Sequence, residues 1–414
     1  MQVVYSAAHG GFAREAVPLG GGAAVFEHLT TEWHRTNPFR LHEVTPAILG
    51  ASAPTGRNLV DFSEGDYARF CRAFEKASTE VILRLDPAQT AVLINDVSEG
   101  PDFAALAARR FPVFTIYHVD VVAYVADIYF KGWLRPETTV RWHRRLRPFL
   151  PAMARLVWEK QESSVRHSTG LIVPSPEMRE TILRCYPWCP AEKIHVLPWG
   201  AITSAEDHTT HTNSIDSAAL RGELGIPNNA QVLLTLSRIS PEKGQDLLLN
   251  ALLEWEARAD YPSRPLWLVI CGDAAYMQGR RHLEKLKALA AKLQRTRVVF
   301  AGHVTGARKQ AMFSLADLYI FPSKHESYGL TLLEALASGL PAVCVDHHGA
   351  RSVMREEFGR MVPPTGLRTA IAEMLSIDNA ARCKMGDAAR AFAGTQRFSD
   401  SAAKLAALLL SSLA

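Results

Sequence analysis

Four charged side chains in this 414-residue sequence have types and spacing that suit the binding of an anion. Glu326 and Glu334 lie eight positions apart, and Arg238 and Lys243 lie in the stretch SRISPEKG. Arginine and lysine are common phosphate ligands, and a carboxylate beside them can face a neighbouring polar group. The pattern therefore favours a site for an anionic ligand, with the two glutamates facing different parts of it.

The two glutamates lie at a junction between a strand, a loop and a helix. Residues 318–321 are a short apolar run typical of a buried strand, and residues 330–337 follow helical spacing. Gly329 stands at the start of that helix, where the missing side chain lets a ligand approach the backbone and the first N–H groups can bind an anion. A buried strand over 342–345 follows, so a βαβ crossover is predicted.

The two cations lie at a second junction of the same kind. Residues 231–236 are predicted to form a strand, 237–244 a loop and 245–255 a helix. Arg238 and Lys243 thus stand at the carboxyl end of the first strand of a Rossmann-like domain, where ligand phosphates usually bind. One surface cation is weak evidence, and two glutamates alone are more often solvated, so the prediction rests on both junctions together.

Glycines near the start of the chain suggest a further binding loop. Residues 1–7 are predicted to form a strand, and Gly20, Gly21 and Gly22 a turn before a helix that starts near Ala23. Such a turn suits a phosphate or sugar pressed against the backbone, although it can also serve only to turn the chain. The GxGxxG fingerprint is missing after the first strand, which disfavours a nicotinamide enzyme.

His118 ends the strand that is predicted over residues 113–118. Open α/β sheets bind ligands at the carboxyl ends of their strands, which makes this histidine a candidate. Asn95, Asp96 and Asp120 lie at strand ends too and are weaker candidates. A lone histidine is more often a core or surface residue, so both interpretations of His118 stay open.

Length and composition indicate two domains of ordinary size. A chain of 414 residues with 48% hydrophobic and 21% charged residues is typical of a globular protein with more than one core. A net charge of +4 does not demand a nucleic-acid partner, and none is expected. No apolar run reaches the roughly 18 residues of a membrane span, and no leader pattern opens the chain, so we expect a cytoplasmic protein. Cys185 and Cys189 have no second pair at zinc spacing, so no metal site is expected.

The motif around the glutamates resembles that of a known enzyme family. Residues 326–330, Glu-Ser-Tyr-Gly-Leu, with Glu334 and the later Ser-Gly-Leu-Pro, are similar to the E-x7-E signature of retaining glycosyltransferases of family 4. That family usually has Glu-Gly-Phe-Gly-Leu, so Ser327 and Tyr328 depart from its pattern while both glutamates match. His348 and Ser352 stand where the family often has glycine and glutamate, which puts that loop's role in doubt.

The resemblance implies an α/β fold of the GT-B type, with two Rossmann-like domains whose parallel sheets face each other across a cleft. The first domain would cover residues 1–200 and bind the acceptor, and a C-terminal helix over 397–414 would complete it. Residues 201–217 are polar and without apolar period, and are predicted to be a linker or exposed loop. The second domain would cover residues 218–396 and bind a nucleotide-sugar donor.

The resemblance also implies roles for individual residues. Catalysis is assigned to Arg238 and Lys243 on the donor diphosphate, Glu326 on the transferred sugar, and His118 on the donor sugar. Donor binding is assigned to Glu334, on the ribose, and to a set of loop residues: Gly21, Gly22, Gly272, Ser327, Tyr328, Gly329 and Leu330. Neither cofactor nor metal is implied, and the mechanism would be a front-side displacement with retention.

The substrate would be a nucleoside-diphosphate sugar, with UDP favoured over GDP or ADP. The acceptor would be a carbohydrate, a small molecule or a lipid-linked molecule. A GT-B phosphorylase or disaccharide synthase is one alternative, and a non-catalytic GT-B binding or regulatory protein is another, although the four intact charged residues argue against the latter.

Residues 130–166 form the most basic stretch, with tryptophans and a phenylalanine among the charges. Such a segment can contact an anionic membrane or acceptor, which would make the protein peripheral to the inner face of a membrane. The alternative is a solvated helical face whose aromatic residues pack on the domain.

Overall fold

The computed structural model describes residues 1–12, 20–55, 61–120, 122, 135–202, 215–275 and 279–413. The chain divides into two compact units. The first is formed by Met1–Pro198 and Ser399–Ala414, and the second by Trp199–Phe398. Most of the predicted linker, residues 203–214, lies outside the described residues.

The first unit contains a six-stranded parallel sheet in the order β2-β1-β3-β4-β5-β6. Its strands are Gln2–Ser6 (β1), Arg40–Val44 (β2), Thr90–Ile94 (β3), Val113–Ile116 (β4), Gly170–Val173 (β5) and Ile194–Val196 (β6). The described helices are Gly21–Thr36 (α1), Glu64–Ile82 (α2), Phe103–Ala108 (α3), Pro136–Leu146 (α4), Ala152–His167 (α5) and Pro176–Cys185 (α6). All five residues of β3 are buried, as expected for a central strand of a parallel sheet covered on both faces.

The last helix of the chain packs on the first unit. The indole N–H of Trp33 in α1 donates to the Ala402 carbonyl over 3.1 Å, and the Ser401 hydroxyl donates to the Pro198 carbonyl over 2.8 Å. Ala402, Leu405 and Leu409 are fully buried, because the apolar stripe predicted for this tail faces the core.

The second unit contains another six-stranded parallel sheet, in the order β12-β11-β10-β7-β8-β9. Its strands are Gln231–Leu236 (β7), Leu266–Cys271 (β8), Thr296–Gly302 (β9), Leu318–Phe321 (β10), Ala342–Val345 (β11) and Gly359–Val362 (β12). Its described helices before β11 are Ser217–Glu223 (α7), Gln245–Glu256 (α8), Gly279–Ala290 (α9), Gly306–Leu315 (α10) and Leu330–Ala337 (α11). The later helices are His348–Val353 (α12), Leu367–Ser376 (α13) and Asn379–Gly394 (α14), followed by Phe398–Ser411 (α15), which starts at the boundary and lies almost wholly in the first unit.

The strand order of the second unit brings the two predicted junctions together. Strand β10 pairs in parallel with β7 on one side and with β11 on the other. Because parallel neighbours end at the same edge of a sheet, the loops that follow β7, β10 and β11 lie side by side.

Three details of the sequence prediction were wrong. Helix α1 begins at Gly21 rather than near Ala23, so Gly21 and Gly22 belong to its first turn and only Gly20, at φ 92°, precedes it. Strands β2 and β12 were not predicted. Lys160 is not part of a basic surface: it is buried, pairs with Glu75 over 2.7 Å and donates to the Gly100 carbonyl over 2.7 Å.

Candidate functional site

In the second unit, Gly244 allows the loop after β7 to contact the loop after β10. Gly244, at the end of SRISPEKG, has φ 67°, and a Cβ there would lie 2.0 Å from the Pro322 carbonyl oxygen. The Lys324 amide donates to the Glu242 carbonyl over 2.8 Å across the same contact. Only glycine permits this backbone approach and this left-handed conformation together. The loop after β7 is therefore fixed against the loop after β10.

This contact brings Lys243 and Glu326 together. The Lys243 ammonium lies 2.5 Å from Oε1 of Glu326, and the two side chains are 12% and 18% exposed. The Ser323 hydroxyl donates to the same carboxylate oxygen over 3.2 Å. Two residues 83 positions apart thus form a partly buried ion pair at the carboxyl edge of the sheet.

Cations around Glu326 keep this carboxylate ionised. Burial alone would raise the pKa of Glu326, but the charge and hydrogen bond of Lys243 outweigh it, with Arg238 acting in the same direction. The pKa of Glu326 therefore lies below its ordinary value. Arg238 also lowers the pKa of Glu242, so it lies near both carboxylates.

The side chain of Gln245 fixes the loop that carries Arg238. Gln245, which is fully buried at the start of α8, donates to the Arg238 carbonyl over 2.8 Å and to the Ser237 hydroxyl over 2.9 Å. Gly272 has φ 131°, and a Cβ there would lie 1.8 Å from the Ser237 carbonyl oxygen. The predicted donor residue Gly272 thus lies directly against the loop that carries Arg238.

The start of α11 follows the loop that carries Glu326, and Gly329 lies at its N-terminus. This glycine has φ 89° and caps the helix, and a Cβ there would lie 3.2 Å from the Phe321 ring. Tyr328 is buried, whereas Ser327 and Leu330 are half-buried. The loop after β11 closes on this segment, because the Gly349 amide donates to the Glu326 carbonyl over 3.1 Å.

His347 is a polar group in this site that the sequence interpretation missed. Its Nδ1 accepts a hydrogen bond from the Ala350 amide over 3.2 Å, which makes it the cap of α12. Burial, with the charge of Lys243 acting in the same direction, lowers the pKa of His347 to about 4. The histidine is therefore neutral near pH 7, with its proton on Nε2. Its position two residues after the end of β11 could have been found by the rule that singled out His118.

Glu334 lies further along α11 and has a partner that was not predicted. Its Oε1 lies 2.8 Å from the ammonium of Lys309 in α10. The other oxygen, Oε2, is buried and has no hydrogen-bond partner among the described residues. Glu334 is thus a buried carboxylate with one oxygen satisfied and one available to a hydrogen-bond donor.

In the first unit, Asn95 links His118 to the glycine turn. The Asn95 amide nitrogen donates to the Gly22 carbonyl over 3.3 Å and to Asp96 over 3.2 Å, so its oxygen faces Tyr5 and His118. His118 Nε2 must then donate to this oxygen, over 2.9 Å. Burial lowers the pKa of His118 to about 4, so the ring is neutral near pH 7.

A chain of titratable groups lies beside His118. His9 Nδ1 lies 3.1 Å from Asp96, and its Nε2 lies 3.0 Å from the Tyr67 hydroxyl, which donates to Glu99. Burial raises the pKa of Glu99, and the charge of Asp96 raises it further. Asp96 was a weak candidate from its strand-end position, whereas His9, Tyr67 and Glu99 were missed.

The candidate residues thus form two groups. In the second unit the structure brings together Lys243, Glu326, the Arg238 loop and the α11 start, with Glu334 on the same helix. In the first unit it brings together Gly22 and His118, with Gly21 beside them in the first turn of α1. Within the described ranges, no three His, Cys, Asp or Glu side chains are grouped so that they could hold a metal ion.

Comparison with known proteins identifies the second unit as the region of clearest similarity. Residues 216–392 match the family model described as Glycosyl transferases group 1. The chain is 29% identical over 280 residues to a D-inositol 3-phosphate glycosyltransferase of Xylanimonas cellulosilytica, covering 63% of this chain and 64% of that protein. It is 27% identical over 258 residues to an alpha-D-kanosaminyltransferase of Streptomyces kanamyceticus, covering 62% and 61%. The matches thus span about six tenths of the length of these relatives.

The fold is that of GT-B glycosyltransferases, as expected. The crystal structure of Anabaena HepE in complex with UDP and glucose matches this chain with a TM-score of 0.69 over 100% of both chains. The sequence identity is 16%, so this likeness shows the fold alone. The predicted α/β class with two parallel sheets is confirmed. No helix in the described part of the chain is long and apolar enough to cross a membrane.

Proposed function

We propose that this protein is a retaining glycosyltransferase that moves a sugar from a nucleoside-diphosphate sugar to an acceptor hydroxyl. The observation that carries the proposal is the partly buried ion pair of Lys243 and Glu326, which lies at the carboxyl edge of the sheet beside Arg238 and the start of α11. In the proposed site, cations, a carboxylate and the first N–H groups of α11 would surround the diphosphate of the donor. The match of residues 216–392 to the group 1 glycosyl transferases supports the same activity.

The cations would stabilise the charge that develops on the leaving group. The bond between the anomeric carbon and the β-phosphate oxygen breaks, and a bond to the acceptor oxygen forms on the same face. The acceptor's proton passes to the departing phosphate oxygen. Arg238, Lys243 and the first N–H groups of α11 would stabilise the diphosphate, and such preorganised electrostatics are usually the largest catalytic contribution.

Lys243 has the hydrogen-bonding capacity to serve both the diphosphate and Glu326. An ammonium carries three donors, and one of them is directed at Glu326. The others are then available to phosphate oxygens, while the second oxygen of Glu326 can accept a hydroxyl of the transferred sugar. Because the proposed charge stabilisation comes from side-chain cations and backbone amides, we propose that the reaction needs neither a metal ion nor a cofactor.

Glu334 and the first unit would complete substrate binding. The buried Oε2 of Glu334 would accept a hydroxyl of the donor ribose. The first unit would bind the acceptor. Retaining glycoside hydrolases use one carboxylate as a nucleophile and a second as an acid. We do not propose that mechanism here, because Glu334 pairs with Lys309 and Glu326 pairs with Lys243.

UDP is the nucleoside diphosphate that we propose for the donor, with GDP and ADP as alternatives. The fold match to HepE, whose structure contains UDP and glucose, supports this choice. The acceptor would be a carbohydrate or another small molecule with a hydroxyl group, and a lipid-linked acceptor fits the same chemistry. The relatives named above act on an inositol phosphate in one case and transfer a kanosaminyl group in the other. We propose a cytoplasmic location for this chemistry.

A thermal-shift screen followed by a turnover assay tests the proposal. UDP, GDP and ADP are tested first, and each sugar conjugate of the nucleotide that binds is then assayed for release of nucleoside diphosphate, with and without EDTA. We expect one nucleotide to raise Tm and its sugar conjugate to be consumed equally in both conditions. Binding without turnover would favour the non-catalytic alternative, and turnover that depends on added phosphate would favour a phosphorylase.

A further inference from the structure

Lys309 and Glu334 form the most buried ion pair in the described part of the second unit. Lys309 lies on α10, Glu334 lies on α11, and their side chains are 13% and 5% exposed. The ammonium and Oε1 are 2.8 Å apart. The sequence analysis did not single out Lys309, and no step of the mechanism above uses it.

The pair leaves one carboxylate oxygen without a protein partner. Glu334 Oε2 is buried, and no described residue donates a hydrogen bond to it. A buried acceptor that receives no hydrogen bond is unfavourable, so such atoms in native proteins usually meet a water molecule or a ligand. Glu334 Oε2 therefore marks a position for a hydrogen-bond donor.

Lys309 also determines how Glu334 is held. The Ser338 hydroxyl donates to the Glu334 carbonyl over 3.0 Å and to the Gln310 side chain over 3.4 Å, which ties α10 to α11 at the same point. With its backbone tied and Oε1 fixed by Lys309, the carboxylate has one orientation.

We infer that Lys309 is a positioning residue for nucleotide recognition: it holds the Glu334 carboxylate in the orientation in which Oε2 accepts a hydroxyl of the donor ribose. The inference rests on the proposed function, because it takes the ligand to be a ribonucleotide. A vicinal diol can supply the donor that Oε2 needs, whereas a nucleotide without ribose hydroxyls cannot. Lys309 therefore contributes to selectivity for ribonucleotides without touching the ligand.

The neighbouring residue Arg308 provides a matched control. It lies on the same helix but pairs with Glu223 of α7, and these side chains are 35% and 55% exposed. Arg308→Met removes a charge and an ion pair from α10, as Lys309→Met does, but leaves Glu334 untouched. A general effect on α10 would appear in both variants.

Isothermal titration with UDP and with 2′,3′-dideoxyuridine diphosphate tests the inference. A hydrogen bond to a charged group changes affinity by roughly tenfold or more, so the wild type should bind UDP at least about tenfold more tightly than the dideoxy compound. Lys309→Met should reduce this ratio to within about threefold, by weakening UDP binding while dideoxy binding stays the same. Arg308→Met should keep the wild-type ratio.

Two further variants separate positioning from a loss of folding. Glu334→Gln should reduce the ratio of UDP affinity to dideoxy affinity as Lys309→Met does. The double variant, which contains neither charge of this pair, should reduce that ratio no further than either single variant. Lys309→Gln keeps a donor for Oε1 without the charge and should give an intermediate ratio. In assays with UDP-glucose, the donor KM should rise in Lys309→Met while kcat changes little.

The outcomes distinguish this inference from the proposed function. If Lys309→Met retains the wild-type affinity ratio, or binds both compounds more weakly by the same factor, the role of Lys309 is overturned and the proposed function still stands. Failure of the wild-type protein to bind UDP, GDP or ADP overturns both.

Discussion

At the scale of single residues, the contact between Lys243 and Glu326 sets the charge of the candidate site. The glutamate is ionised because Lys243 outweighs its desolvation, and the ammonium is held in place by the same contact. Removing Lys243 would leave a partly buried carboxylate unpaired and would remove a cation from the proposed diphosphate position.

The first prediction concerns this lysine. Lys243→Met should lower turnover of the nucleotide sugar by roughly 10²-fold or more, as the loss of one preorganised transition-state partner does. Arg238→Met should have an effect of the same order. Steady-state nucleoside-diphosphate release measures both, and Lys285→Met is the control because Lys285 is 56% exposed and pairs with Asp246 rather than with Glu326. Rates within about threefold of the wild type in folded Lys243→Met would remove this residue from the site.

The second prediction concerns pH. His347 has a pKa of about 4 in the folded protein, against an ordinary value of 6.5. The unfolded chain therefore binds more protons between these pH values, so stability should fall as pH decreases from about 6.5 towards 4 and should be unaffected by His347 above 7. At pH 5 the protonation of this residue in the unfolded chain should lower the free energy of unfolding by about 2 kcal/mol.

His347→Asn isolates this contribution, because asparagine can still cap α12 but does not titrate. Urea unfolding of both proteins at pH 7 and pH 5 gives the comparison. The variant should lose less stability than the wild type between the two pH values. Equal losses would mean that His347 is not held neutral by burial.

At the scale of elements, the sequence predicted the strand–loop–helix junctions well because their signals are local. Apolar runs, glycines and helical spacing identified β7, β10, β11 and α11, and strand order follows from their parallel pairing. The partner of Glu334 could not be predicted in this way. Lys309 meets Glu334 only because one face of α10 packs on α11, and no local signal within α10 reveals that contact.

The basic stretch, residues 130–166, is a second case in which the sequence alone could not predict which side chains are buried. Its composition did not distinguish a buried lysine from exposed arginines, and Lys160 proved to be buried in the first unit. Residues 130–134 lie outside the described part of the chain. Trp142 and Phe149 are 52% and 84% exposed, and Arg141 is exposed beside them. We propose that this remaining surface contacts anionic lipid or an anionic acceptor.

The third prediction tests that surface. Each arginine near an anionic membrane adds about 1 kcal/mol of attraction, which salt weakens. Reversal of Arg141 and Arg145 to glutamate should therefore release the protein from phosphatidylserine vesicles at low salt, as measured by co-sedimentation. Reversal of Lys285 and Lys287, on a helix of the second unit, is the matched control and should have no effect. A wild-type protein that stays in the supernatant with these vesicles at low salt would contradict the proposal.

At the scale of the whole molecule, the two-sheet α/β fold could be predicted from length, repeated junctions and the family resemblance. The first unit was harder, because its polar cluster joins residues that are distant in sequence. Tyr67 reaches His9 across 58 positions and Glu99 across 32. The strand-end positions of Asn95, Asp96 and His118 gave the sequence signal for that region.

The central claim is that this molecule transfers a sugar with retention, and the anomeric form of the product tests it most directly. UDP-glucose, or the conjugate of whichever nucleotide binds, is incubated with the protein, and the first sugar released to water is followed by proton NMR before mutarotation. The donor is α-linked, so the first product should be the α anomer, and Lys243→Met should form it roughly 10²-fold more slowly. Initial formation of the β anomer would contradict the retaining mechanism, and no consumption of UDP-, GDP- or ADP-sugars would contradict the activity itself.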